Sequence, residues 1–395
     1  MERAGLTPQA AGPGGRTNVA AGPGGRTNVM APDTSDLAEL VQAEGPFLTV
    51  QLTTEADIDN AAQRSEQRWR SIRDQAAAQG ASEEVLAAVD PLVADAHLEG
   101  HGLSVVANAS GAIHVEHGPR PPDRDLTRWA PLPSLLQAVT WRQGWPPYVT
   151  VLVDRQGADL VAYRREGPEL RREAGGDDYP LRKPNAGGWS QRRYQERAEN
   201  TWERNADDAA EQVVRLARRV DARLVVAAGD ERAVTLLRDA LPQDWVARLQ
   251  VVSAGRSQDG SEQAFQGQAR IAVERAVNAD TDALMEKFRE ERGQDDRACD
   301  GPAATLSALA MAAVDVLLLG TDDPDDARTA SFGPDPTQVA ETASDLRGLG
   351  VDQPVEGRLV DVAVRAALGT GAGIRIVGPG AGLDGGMGAI LRWST

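Results

Sequence analysis

Residues 187–194 read Gly-Gly-Trp-Ser-Gln-Arg-Arg-Tyr, and no other stretch of the chain has residue types and spacing that point so directly to chemistry. Two consecutive glycines give the backbone access to conformations that other residues avoid. Trp189, Ser190 and Gln191 then supply an indole, a hydroxyl and an amide, followed by the guanidiniums of Arg192, Arg193 and Arg197 with the ring of Tyr194 among them. Across residues 181–197 the cations Arg182, Lys183, Arg192, Arg193 and Arg197 stand against a single acid, Glu196. Aromatic rings interleaved with cations stack on bases while neutralising phosphates, so this composition fits contact with RNA. It fits equally a surface loop whose Trp packs on its own domain, because a basic loop is a weak motif.

Other constellations lead elsewhere. His97, His101, His114 and His117 lie close together in sequence, but the order His97-Leu98-Glu99-Gly100-His101 matches neither zinc-protease motif. His114 and His117 are an odd number of residues apart and point to opposite faces of a regular strand. No metal site is expected. The glycine-rich run over residues 369–388 has no Walker-type lysine, and too little chain follows it for a strand–glycine–helix unit, so structural turns are expected there. Asp322, Asp323, Asp325 and Asp326 lack the spacing and closing glutamate of a calcium loop and read as a solvated turn. No G-x-S-x-G elbow occurs.

The elements that must position residues 187–194 follow from length, charge and periodicity. A chain of 395 residues with 41% hydrophobic content implies two or three domains of roughly 100 to 150 residues each. With 42 basic and 59 acidic residues the net charge is -17, which opposes broad binding to nucleic acid or anionic membrane and requires any RNA contact to be local. A single cysteine, Cys299, permits no internal disulfide and fits a reducing, cytoplasmic setting. No apolar run is long enough to span a bilayer. The repeat AGPGGRTNV at residues 11–19 and 21–29 marks residues 1–33 as a disordered Gly/Pro-rich tail, with Met30 an alternative start to Met1.

Patterning divides the rest into three consecutive α/β domains. Over 34–143 it predicts a helix at 35–43, a strand at 47–53, helices at 60–78 and 82–96, and a hairpin of 103–109 with 112–116. A Pro-rich surface loop follows at 118–125. Over 144–258 it predicts a hairpin of 148–153 with 158–164, a long polar loop at 166–189, and a helix from about 190 to 220. That helix carries a stripe of Trp202, Ala206, Ala209, Val213, Leu216 and Val220. A strand at 223–228, a helix at 231–240 and a strand at 249–252 complete this region. Over 259–395 it predicts helices at 261–292 and 303–312, a strand at 314–319, helices at 336–347 and 357–368, and strands at 374–377 and 388–393.

The segment GGWSQRRYQ resembles the loop of the class-1 translation release factors of eukaryotes and archaea. There Gly-Gly-Gln-Ser-Ala is followed by a hydrophobic residue, Arg and Phe, and then by a long helix. Gly187, Gly188, Ser190 and Arg193 match, and Tyr194 is a conservative counterpart. GGMGAILRW at 385–393 is similar to a Gly-Gly-Ile-Gly run and Ile-Leu-Arg-Tyr strand near the end of the same family's third domain. The likeness spans the folded chain, with its specific motifs in the second and third regions. It is greatest to bacterial members, a group that includes ribosome hibernation factors, and to actinobacterial ones in particular.

The resemblance implies a release-factor-like arrangement. Residues 34–143 would lie on the decoding side of the ribosomal A site, 144–258 would carry the 187–191 loop toward the peptidyl-transferase centre, and 259–395 would meet a GTPase elongation factor. It implies the ribosome as partner, through rRNA and P-site tRNA, and no bound cofactor. Arg182, Lys183, Gly187, Gly188, Trp189, Ser190, Gln191, Arg192, Arg193, Tyr194 and Arg197 would be the contact residues.

Two departures bear on activity. Where hydrolytic members carry the glutamine that orients water, this chain has Trp189, whose indole offers one donor and no acceptor. Gln191, two residues on, gives a Gly-x-x-Gln spacing similar to that of the related eukaryotic peptidyl-tRNA-cleaving factor of ribosome quality control, which makes Gln191 the candidate catalytic residue. The stop-codon motifs Asn-Ile-Lys-Ser and Tyr-x-Cys-x-x-x-Phe are missing, so stop-codon reading is not expected. Three functions follow in order: a hibernation or stress factor that silences the ribosome, a peptidyl-tRNA hydrolase or rescue factor using Gln191, and an RNA-binding stress protein acting off the ribosome.

Overall fold

The computed structural model describes residues 30–54, 61–94, 101–154, 157–165, 169–175, 189–253, 261–294, 297–321 and 327–394. The tail over residues 1–29 and the acidic cluster at Asp322 to Asp326 lie outside these residues, as does His97. The described chain is mixed α/β, with four sheets. Among the described residues no helix is long and apolar enough to cross a membrane.

The first region comprises α1 (Ser35–Leu40), β1 (Phe47–Thr53), α2 (Ala61–Ala78), α3 (Glu83–Ala94), β2 (Gly102–Asn108), β3 (Ile113–Gly118), β4 (Leu126–Ala130) and α4 (Leu136–Gly144). Its sheet runs β3-β2-β1-β4, antiparallel at each pairing. Side chains alternate across a strand, so Leu48, Val50 and Leu52 meet Trp69, Val85, Leu86 and Val89 of α2 and α3. Phe47 goes to the other face, into a core shared with the third region. Two elements depart from the expected outward loop. β4 pairs with β1 along Phe47↔Ala130 to Gln51↔Leu126, and α4 seats Trp141 on the glycine pair Gly102↔Gly118. A Cβ at Gly118 would stand 2.3 Å from that indole.

The middle region comprises β5 (Tyr148–Val153), β6 (Gly157–Tyr163), β7 (Leu170–Gly175), α5 (Trp189–Arg219), β8 (Leu224–Gly229), α6 (Glu231–Ala240), α7 (Gln243–Val246) and β9 (Leu249–Val251). The sheet order is β7-β6-β5-β8-β9, with β5, β8 and β9 mutually parallel and β5, β6 and β7 antiparallel. β7 corrects the expected long loop. Its sequence, LRREAG, has no apolar alternation because only Ala174 of this strand is buried among the described side chains.

The third region opens on α8 (Ser261–Gly293) and continues through β10 (Ala298–Asp300), α9 (Pro302–Ala310), β11 (Val314–Gly320), β12 (Thr329–Phe332), β13 (Val339–Ala340), α10 (Ala343–Gly348), β14 (Val355–Arg358), α11 (Leu359–Gly369), β15 (Gly373–Val377) and β16 (Met387–Leu391). One sheet runs β10-β16-β11-β15 and a small one β13-β12-β14. The helix expected at 336–347 is replaced by β13 and the six-residue α10. Between β15 and β16 the glycine-rich run is a chain of turns with positive φ at Gly380, Gly382, Gly385 and Gly386. It leads from strand to strand without the helix a dinucleotide cradle requires.

The first and third regions are joined by more than a linker. Leu132, Leu135 and Val139 share one core with Leu317, Val362 and Ala366. The Ser134 hydroxyl donates to the buried carboxylate of Asp361 at 3.0 Å. Gln143 pairs its amide with both main-chain groups of Ile376, at 2.7 and 2.8 Å. α8 links the middle and third regions: Phe265, Ala269, Val273 and Val277 pack under β5 and β8, while Leu284, Met285 and Phe288 pack against β11 and β16.

Candidate functional site

The platform for the basic, aromatic stretch is α5. Its 31 residues are dominated by Ala, Arg, Glu and Gln, which favour helix. Ala209, Ala210, Val213, Leu216 and Ala217 form the buried stripe that seats it on Val149, Val151, Leu160 and Ala162. The C-terminal turn carries Arg218 and Arg219, which complement the negative end of the helix dipole. The turn closes through Ala222 N–H donating to Ala217 C=O at 2.8 Å, with Asp221 in the left-handed region at φ +52°, a Schellman-type end.

At the other end the helix begins at Trp189. Trp189, Ser190, Gln191, Arg192, Arg193, Tyr194 and Arg197 therefore occupy the first turns of α5, whereas the sequence placed Trp189 in the preceding loop. Arg182, Lys183, Gly187 and Gly188 lie outside the described residues. At about 100° per residue, positions 189, 193 and 197 fall in one row along the helix. Position 191 lies about 200° around the axis from 189.

A tight strand-to-helix turn braces this end of α5. Gly229 adopts φ +136°, and a Cβ there would stand 1.7 Å from the carbonyl oxygen of Val153, so no other residue lets β8 leave the sheet this close to β5. Asp230 N–H donates to Val153 C=O at 3.1 Å. The Asp230 carboxylate caps α6 by accepting from Arg232 N–H at 3.1 Å and Ala233 N–H at 3.2 Å. This sets the Arg232 guanidinium over the ring of Trp202, 4.9 Å from its centroid. From Trp202 the helix runs back about 20 Å to Trp189.

Among the described residues, His101, His114 and His117 form no shared site. His114 lies beside Asp36 at 3.8 Å and Glu116 at 3.3 Å, in a cluster centred on Arg142. His117 lies on β3 in register with Leu103, and His101 is exposed. Among the described residues no group of three or more His, Cys, Asp or Glu side chains is arranged to hold a metal ion. Burial pushes the Cys299 thiol up, away from nucleophilic use.

The sequence reading missed one concave basic surface. A cleft of about 290 Å³ lies between the start of the first region, the end of β6 and the α5–β8 turn, with Trp145, Arg164, Arg165, Arg219 and Arg223 among its walls. Dipeptides of arginine at 164–165 and 218–219 were the available signal. Nothing local in sequence says that they converge.

Residues 147–294 match the bacterial archaeo-eukaryotic release factor family 2, a span that holds the β5–β9 sheet, α5 and α8. An uncharacterized protein of Mycobacterium tuberculosis strain H37Rv is 29% identical over 365 residues, covering 90% of this chain and 96% of that protein. Among solved structures, the archaeal translation termination factor aRF1 is 17% identical with a TM-score of 0.25, covering 90% of this chain and 96% of that one. Archaeoglobus fulgidus Pelota is 13% identical with a TM-score of 0.33, covering 92% and 93%. The middle region of this chain, with the opening helix of the third, is therefore what carries the match to the bacterial archaeo-eukaryotic release factor family 2.

Proposed function

We propose that the protein is a ribosome-associated translation factor that enters the A site and silences translation, as a hibernation or stress factor, instead of terminating it. Residues 34–143 lie on the decoding side, 144–258 carry the 187–191 segment toward the peptidyl-transferase centre, and 259–395 dock a GTPase elongation factor. The reading is carried by one observation: within the span that matches the release-factor family, Gly187 and Gly188 run straight into a 31-residue helix that opens on Trp189. An indole at that point offers a broad stacking surface and a single donor, so it fills space and cannot align a water molecule as an amide does. Arg192, Arg193 and Arg197 neutralise rRNA or tRNA phosphate.

Co-sedimentation with 70S ribosomes from stationary-phase cells tests this. Wild type pellets with the ribosome, and Arg192→Glu with Arg193→Glu reduces the bound fraction at least tenfold at moderate salt. Equal pelleting of the double variant removes the segment from the interface. Ribosomes carrying labelled peptidyl-tRNA separate occlusion from catalysis. No peptide is released under the proposal, and its release by wild type with loss in Gln191→Ala makes the protein a hydrolase.

A further inference from the structure

We propose a second RNA-binding site, the cleft at the junction of the first and middle regions, whose ligand is the phosphate backbone of an RNA strand. It rests on the reading above that the partner is RNA, and it lies at the opposite end of α5 from Trp189. Arg164 and Arg165 stand at the end of β6, Arg219 in the last turn of α5, and Arg223 just before β8, around one opening of about 290 Å³. Two carboxylates line the same opening, Asp33 and Asp221. In a chain with 59 acidic and 42 basic residues this is a local inversion of charge.

Three of the cleft guanidiniums have carboxylate partners. Arg142, at the base, is bound by Asp36 and Glu116. Arg165 reaches Asp36 at 3.5 Å, and Arg223 pairs with Asp221 at 3.1 Å. Arg164 and Arg219 are exposed. Trp145 forms part of the wall, and over its ring stand two further guanidiniums, Arg120 at 5.6 Å and Arg270 at 5.8 Å. These line the adjoining cavity of about 250 Å³. The cations therefore continue past the indole on its other side, as a strand with several phosphates and a base to stack would use them.

The walls are fixed before any ligand arrives. Arg223 N–H donates to Pro147 C=O at 2.8 Å, tying β8 to the entry of β5, and the left-handed Asp221 sets the turn between Arg219 and Arg223. A single RNA strand is favoured over a membrane because a net charge of -17 repels an extended anionic surface. A strand entering a cleft meets mainly the local field.

Fluorescence anisotropy with a 12-nucleotide single-stranded RNA, titrated at several KCl concentrations, tests the site. Arg164→Glu with Arg219→Glu should weaken binding at least tenfold and flatten the plot of log affinity against log salt by about 1.4, some 0.7 per lost phosphate contact. Asp221→Gly removes a carboxylate at a position whose φ suits glycine, and should tighten binding several-fold. A folding defect cannot produce that opposite sign. Unchanged affinity in the Glu variant, or pelleting with phosphatidylserine vesicles without RNA binding, overturns the inference. Ribosome co-sedimentation keeps the two proposals apart. If wild type and the cleft variant both pellet and bind the 12-mer with equal affinity, the cleft falls and the ribosomal role stands; if neither pellets but the 12-mer still binds through the cleft, the reverse holds.

Discussion

Arg142 shows how much of this fold depends on one side chain. Its guanidinium is 2% exposed and holds Asp36 at 2.7 and 2.8 Å, Glu116 at 3.0 Å and the Asp33 carbonyl at 3.0 Å. Burial disfavours the ionised Asp36 carboxyl, but hydrogen bonds and charge from Arg142, with help from Arg165 and His114, outweigh it and hold the group at about 2, below its ordinary 3.8. Burial likewise opposes ionisation of Glu116, and His114 and Arg142 again bring it below the usual range. Both folded pKa values are depressed, so this stabilisation is complete above the unfolded carboxylate pKa, near pH 4, and is lost as pH falls toward 2. Asp36 is 35% exposed, and after solvent screening its share is about 1 kcal/mol. Arg142→Met leaves Glu116 buried without its cation, and should cost about 3–5 kcal/mol at pH 7. Because protonation relieves the stranded carboxylate and removes what Arg142 holds in the wild type, urea unfolding should show the gap narrowing as pH falls through about 4 toward 2. A gap independent of pH would mean that packing, not charge, is what Arg142 provides.

At the scale of elements, α4 was the hardest to read and does the most joining. Its sequence, LQAVTWRQG, has no single apolar stripe because Trp141, Arg142 and Gln143 are all buried, each against a different partner. The Gln143 amide donates to Ile376 C=O and accepts from Ile376 N–H, so it pairs with β15 as a neighbouring strand would. Gln143→Leu keeps the bulk and leaves two main-chain groups unpaired, at a cost of about 2–5 kcal/mol. Hydrogen exchange at Ile376 should accelerate in that variant, and a rate equal to wild type would mean that another group protects the edge. Long elements with one buried face were legible: α5, β1 and α6 fall where periodicity put them. β4 was missed because all five of its residues are only half-buried, and β12, β13 and β14 because two to four residues carry no period. The candidate site divides in the same way. The 187–194 motif is contiguous in sequence, and the long helix it leads into could be read from its periodicity. The junction cleft draws on residues 33, 145, 164, 219 and 223, which only the tertiary fold brings together.

The whole molecule is organised by two shared structures: the core common to the first and third regions, and α8, a 33-residue helix about 50 Å long. The family match covers 147–294, and so takes in the whole of α8 but not the sheet on which its second half rests. Leu284, Met285 and Phe288, each under 5% exposed, pack on Val316, Leu318 and Ile390, all beyond residue 294. A protein consisting of residues 147–294 alone should therefore keep its own sheet, because β5, β6, β8, α5 and α6 fill their core from within this span. The last turns of α8 would lose their apolar cover and fray, since a helix end of this length is marginal in water without tertiary packing. Hydrogen exchange mapped by mass spectrometry should show residues 213–228 equally protected in the fragment and the full chain, and residues 280–293 protected only in the full chain. Equal protection of 280–293 in both would show that α8 is rigid by itself. Its contacts with the third sheet would then fasten that sheet to an independent strut, so that the middle and third regions would move as one body only where the sheet stays docked.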